Sequence, residues 1–224
     1  MGKYGDDKWI ESSLAVLRRL EQAGIAIDIS GVENLEGGND PVVFVGNHMS
    51  MMETMLLPVI IQPIKPVTFV VKESLLSYPF FKHIMKSRNP VAVSRTNPRQ
   101  DLKGVMSVGV ERLRAGISVI VFPQTTRSHT FNPEKMSSIG VKLAKKAGVQ
   151  AIPVALKTDC WQNGKWIKDF GRLDTSKTAY YSFGAPLSII GKGDEEQIAI
   201  NTFIIDALKK WERSDMPQQF ARPS

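Results

Sequence analysis

Apolar positions along the chain follow two rhythms that take turns. Over residues 9–23, Ile10, Leu14, Leu17 and Leu20 recur at helical spacing and Gly24 supplies a stop, which predicts an amphipathic helix. A short strand pattern at 25–29 and a glycine-rich turn, Gly37-Gly38-Asn39-Asp40, come next. Pro41-Val42-Val43-Phe44-Val45 is a continuous apolar, β-branched run, as expected of a strand covered on both faces. Similar runs lie at 67–71, 91–93, 117–122 and 150–156, the last interrupted only by Pro153, and 178–183 adds another. Helical patterns fill the gaps at 51–61, 78–86, 98–115 and 133–147, and an amphipathic stretch at 195–211 closes the series. This alternation predicts an α/β fold, a mixed and largely parallel sheet flanked by helices. With no repeat, linker or low-complexity tract, residues 1–30 (helix and short strand) and 31–215 read as one structural domain. The tail, 216–224, is expected to fray.

Composition narrows the class without changing that picture. Of 224 residues, 42% are hydrophobic and 23% charged, which excludes a disordered or fibrous chain. The single cysteine, Cys160, cannot form an internal disulfide, so a reducing, cytoplasmic compartment is expected. It reads as a strand-end or loop residue and not as a nucleophile. The net charge of +7 favours an anionic partner. It is uneven: Lys65, Lys72, Lys82, Lys86, Arg88, Arg95, Arg99 and Lys103 face only Glu73 and Asp101 between positions 65 and 103. The most apolar stretch, 49–71, is broken by Glu53, Pro58, Gln62, Pro63, Lys65 and Pro66, too often for a membrane span. The start, with Asp6, Asp7 and Glu11, lacks the order of a signal peptide, and Asp6 stands where myristoylation wants Ser or Thr. Membrane attachment is therefore expected to be peripheral, on the cytoplasmic face.

The chemistry concentrates in Gly46-Asn47-His48-Met49-Ser50-Met51-Met52-Glu53, directly after one buried strand and before a helix. Ligands bind at such strand ends in α/β folds. Ser50 followed three residues later by Glu53 is a capping box, which places the helix start at Met51. His48 then lies just outside the helix, and Glu53 in the first turn can fold back toward the imidazole. A histidine oriented by a carboxylate is a general base suited to neutral pH. A second strand end, Phe122-Pro123-Gln124-Thr125-Thr126-Arg127-Ser128, offers hydroxyls and a guanidinium to a phosphate or oxyanion. A third, Val91-Ala92-Val93-Ser94-Arg95, delivers Arg95 in the same way, and Lys72 ends a further strand. A base and two arginines at three strand ends describe a phosphate-anchored site.

These segments resemble, in order, the conserved blocks of the glycerolipid acyltransferases, the family that includes 1-acyl-glycerol-3-phosphate acyltransferase. Asn47-His48-Met49-Ser50-Met51-Met52-Glu53 corresponds to the family's Asn-His-x-Ser-x-x-Asp, and Arg95 to the arginine of its second block. Phe122 through Ser128 corresponds to Phe-Pro-Glu-Gly-Thr-Arg-Ser, and Ile152-Pro153-Val154 to its proline-containing strand. The resemblance runs from Val42 to Pro186. It implies transfer of a fatty acyl group from an acyl thioester (acyl-coenzyme A or acyl carrier protein) to a lysophospholipid hydroxyl. By the same resemblance His48 is the base and Glu53 its partner, while Arg95, Arg127, Asn47, Gln124, Thr125, Thr126 and Ser128 bind substrate; Lys72, from its strand-end position, is a further phosphate candidate. No cofactor is implied, and backbone amides near the helix start are expected to stabilise the oxyanion. Two positions depart from the pattern. Glu53 replaces aspartate, adding a methylene, and Gln124-Thr125 replaces Glu-Gly, which removes a carboxylate and adds a β-branched residue. The alternative that keeps the fold is a catalytically impaired lipid- or acyl-carrier-binding protein.

Other classes find less support. The chain lacks Gly-x-Ser-x-Gly, Gly-x-x-x-x-Gly-Lys-[Ser/Thr] and Gly-x-Gly-x-x-Gly. Its basic residues sit among apolar ones, as in Leu75–Lys86, which suits an acyl groove or an anionic bilayer and not a nucleic acid. His83 and His129 are read as non-catalytic, and the three histidines have no ligand-like spacing, so no metal site is expected.

Overall fold

The computed structural model describes residues 5–77, 87–94, 96–124, 126–164 and 169–215. The expected helix at 78–86, Arg95, Thr125, His83 and the tail 216–224 lie outside the described residues. Helix α1 (Asp6–Gln22) leads into β1 (Ile27–Ser30), β2 (Val43–Gly46), α2 (Met52–Ile61), β3 (Val67–Lys72) and β4 (Val91–Val93). Then come α3 (Pro98–Gly104), a π-helical turn (Val105–Gly109), α4 (Val110–Arg114), β5 (Ser118–Val121), α5 (Ile139–Ala147), β6 (Ala151–Lys157), β7 (Ala179–Phe183) and α6 (Asp194–Ser214). The strands form one mixed sheet in the order β1-β7-β6-β2-β5-β3-β4. Pairing is parallel throughout except between β6 and β7.

The continuous apolar runs have the expected cause, because both sheet faces are covered. Phe44, Phe69, Ile152 and Val154 point to one core with Trp9 and Leu20 of α1 and Met52, Leu56 and Ile61 of α2. Val43, Val45, Val119 and Ala155 point to the other with Leu143 of α5 and Ile200, Ile204 and Leu208 of α6. The period-two alternation of the strands sorts neighbouring residues into the two layers. Helix α1 lies on protein, with Trp9, Ser13 and Leu20 buried and Arg18 and Arg19 exposed.

Three local differences from the sequence expectation have physical reasons. Pro153 sits in an interior strand because the β7 ladder begins one residue later, at Val154↔Phe183; its carbonyl still accepts from Gly184 N (2.8 Å). The expected helix over 133–147 forms only from Ile139. Asn132 caps a single 3₁₀ turn through Glu134 N (2.9 Å), after which Met136 turns extended and buries its side chain in the second core. The helix over 98–115 starts as expected, with Asn97 accepting from Gln100 N (3.2 Å) and Pro98 in the first turn, but carries a π turn at its middle.

Candidate active site

Because β6, β2 and β5 are adjacent and parallel, their C-terminal ends open side by side. His48 follows β2, Phe122 to Ser128 follow β5, and Thr158 follows β6. Sequence-distant side chains therefore meet at one edge of the sheet, as strand-end sites do.

The centre is a histidine–carboxylate pair. Nδ1 of His48 is hydrogen-bonded to Oε2 of Glu53, whose side chain is wholly buried while that of His48 is 15% exposed. The other carboxylate oxygen, Oε1, accepts from Met49 N (2.8 Å), Ser50 N (3.0 Å) and the Thr158 hydroxyl. Charge-assisted bonds of this number fix a carboxylate in place. The Ser50 hydroxyl donates to Thr158 Oγ1 (2.8 Å) and accepts from Met52 N (3.1 Å). The return half of the capping box forms as the spacing predicts, but the helix begins one residue later, at Met52, because Ser50 caps the amide two residues on.

Neighbouring groups aim the imidazole. Its ring lies flat on Phe122, with centroids 4.4 Å apart and planes inclined by 6°, and Phe122 leads through Phe69 to Trp9 on α1. Gln124 Oε1 accepts from His48 N (2.7 Å), and Ser128 N donates to His48 O (2.9 Å), so the segment after β5 clasps the histidine backbone from both sides. A carboxylate on Nδ1 favours the tautomer protonated there and leaves Nε2 as the basic nitrogen.

The remaining sequence-predicted residues fall into several groups. The Asn47 carboxamide is spent on Leu156, donating to its carbonyl (2.7 Å) and accepting from its amide (2.9 Å), which ties β2 to β6. Gln124 is likewise buried and used by the backbone. Thr126 and Ser128 line a polar hollow of about 230 Å³ with Gln124, Thr130, Asn132 and Lys135. Lys72 is exposed at the end of β3, two strands from β2. Arg127 is ion-paired with Asp169. Three of the amides around the helix start are taken: Met49 N and Ser50 N by Glu53, Met52 N by Ser50. Among the described residues no group of three His, Cys, Asp or Glu could hold a metal ion. No described helix is long and apolar enough to cross a membrane.

Two residues here escaped sequence reasoning. Thr158 ends the apolar run of β6 and carries the same strand-end signal that marked the other segments. Asp169 stands in the loop between β6 and β7, and nothing local in the sequence connects it to Arg127.

An α/β sheet that sets a histidine on a buried carboxylate where three parallel strands end defines a class, and the comparisons agree with it. The sequence pattern of the family described as Acyltransferase matches residues 26–157, more than half of the chain, and the protein belongs to that family. A 1-acyl-sn-glycerol-3-phosphate acyltransferase of Pseudomonas aeruginosa is 33% identical over 152 residues, covering 67% of this chain and 57% of the relative. One from Borreliella burgdorferi is 28% identical over 134 residues, covering 60% of this chain and 52% of the relative. The chain thus spans about half the length of these relatives. The crystal structure of the 1-acyl-sn-glycerophosphate (LPA) acyltransferase PlsC from Thermotoga maritima shares the fold. Its TM-score is 0.72 at 20% identity, covering 99% of this chain and 82% of that one.

Proposed function

We propose that the protein transfers a fatty acyl group from an acyl thioester to the free hydroxyl of a lysophospholipid such as 1-acyl-glycerol-3-phosphate. The observation that carries this reading is the His48–Glu53 pair, with a buried, fully hydrogen-bonded carboxylate on Nδ1. Nε2 of His48 takes the proton of the acceptor hydroxyl as its oxygen attacks the thioester carbonyl. The tetrahedral intermediate collapses by breaking the C–S bond, and the imidazolium returns the proton to the departing thiolate. The products are an ester and a free thiol. Glu53 holds the tautomer and stabilises the imidazolium.

Arg127, together with Arg95, anchors the anionic head group, and the polar hollow beside Thr126 and Ser128 receives its oxygens. The donor is acyl-coenzyme A or an acyl carrier protein. The net charge of +7 supports work at an anionic membrane surface, and the names of the Pseudomonas and Borreliella relatives support the acceptor class.

The test supplies the purified protein with acyl-coenzyme A and, separately, acyl carrier protein over a panel of lysolipids, following thiol release together with acylated product. Thiol release that requires both substrates and collapses in His48→Ala supports the reading. Lipid or thioester binding without transfer, unchanged by that substitution, would leave a binder on the acyltransferase scaffold.

A further inference from the structure

The guanidinium of Arg127 already has an anion. Its Nη2 is ion-paired with Oδ1 of Asp169, 42 residues away in sequence, and the two side chains are only 16% and 18% exposed. The loop carrying Asp169 is braced at its base. Gln162 N donates to Arg172 O (3.0 Å), Asp174 N donates to Cys160 O (2.8 Å), and Trp161 bridges to Leu173. Gly171 packs so closely that a Cβ there would lie 2.0 Å from the Gln162 carbonyl oxygen. A braced stem thus presents a carboxylate to the one arginine the described residues supply next to the His48 clasp.

We propose that Asp169 holds down the affinity of the site for anionic head groups by competing with the acceptor's phosphate for Arg127. This extends the acyl-transfer reading above and rests on it for the kinetic readout. A phosphomonoester carries nearly two charges and presents three oxygens to the guanidinium fork, so it displaces a carboxylate. Displacing Asp169 costs every anionic head group that takes Arg127 the same free energy, whereas an acceptor with no anion leaves the ion pair intact. The internal carboxylate thereby lowers affinity for anionic acceptors as a class without ranking them.

Asp169→Asn keeps the side-chain shape and removes the charge. The expected result is a KM for 1-acyl-glycerol-3-phosphate lower by about fivefold to tenfold, with the KM for an uncharged monoacylglycerol unchanged. Asp169→Glu restores the original KM. In an Arg127→Gln background, Asp169→Asn changes neither value, because the competed-for group is gone. A KM that rises or stays unchanged in Asp169→Asn overturns the proposal and makes Asp169 a support for Arg127 instead. Calorimetric binding of inorganic phosphate and monododecyl phosphate to the same variants needs no turnover. If the wild-type chain transfers no acyl group, tighter phosphate binding by Asp169→Asn still supports the competition, and equal or weaker binding refutes it.

Discussion

At the end of β2 one buried carboxylate, Glu53, serves one imidazole; at the end of β6, the next strand in the sheet, Lys157 serves two carboxylates, Asp159 and Asp215. The second cluster closes on itself. Lys177 also pairs with Asp159, and the Tyr180 hydroxyl donates to Asp215 (2.9 Å). Burial alone would pull Asp159 up, but hydrogen bonds from Lys177 and Lys157 outweigh it and hold the carboxyl below its ordinary range. Burial likewise opposes the charge of Lys157, and its bonds to Asp215 and Asp159 win and raise it. Every charge there is answered by another, although the cluster lines a cleft of about 700 Å³. In the first cluster the carboxylate is saturated, yet it occupies only one of the two imidazole nitrogens. Lining a large cleft does not by itself mark the chemistry; the nitrogen left over does.

The sharpest break of this comparison is His48→Ala against Lys157→Met. On the proposed chemistry the first lowers acyl transfer by about 10²–10⁴-fold, the usual contribution of a positioned base, while the second leaves the rate per folded molecule intact. Steady-state rates normalised to folded protein decide between them. Comparable losses in both would erase the distinction drawn here.

Thr158→Val comes next. It removes a donor to Glu53 Oε1 and the acceptor of the Ser50 hydroxyl while keeping the volume. Leaving buried partners unsatisfied costs about 1–3 kcal/mol of stability, read by denaturant unfolding. Transfer should fall by about tenfold, the effect expected when a supporting group loosens a catalytic pair. Thr158→Ser, which keeps the hydroxyl, should recover most of the rate.

For Lys157→Met the expected effect is on stability and its pH dependence. Asp159, lowered in the native state, contributes stability that is present above its unfolded value of 3.8 and lost as the pH falls through the native one. Lys157, raised in the native state, contributes stability that is fully present below 10.5 and lost as the pH rises through the native value. Unfolding free energies of wild type and Lys157→Met should therefore differ most between these limits and converge outside them. A difference that stays constant with pH would mean that the ions are not coupled to folding.

How much of this was legible in the sequence depended on whether the determinant was local. The covered strands were visible because a parallel sheet buried on both faces needs uninterrupted apolar runs, as at Val43 to Val45. The Glu53 return to Ser50 was visible because a capping box fits within one helical turn. The break at Met136 was not, since it depends on a core pocket made by other elements. The fate of Asn47 was equally hidden: its amide is consumed by Leu156, 109 residues away. Thr158 and Asp169 act across strands and loops, where spacing along the chain carries no information.

The smallest effect is expected at Cys160, whose backbone carbonyl anchors the stem of the Asp169 loop. The side chain is buried, with its thiol 3.8 Å from the Met52 sulfur. Burial, with the charge of Asp159 adding to it, pushes the thiol up to about 11. Only the thiolate reacts, so at pH 8 roughly one molecule in a thousand is competent even before access is considered. A disulfide reagent should therefore find no thiol in the native protein and one after denaturation. Cys160→Ala should cost about 1 kcal/mol through lost packing and leave transfer unchanged. Rapid native labelling would show that the end of β6 opens readily. A loop that loose could not hold Asp169 against Arg127, so the same measurement bears on both the reciprocated cluster and the site beside it.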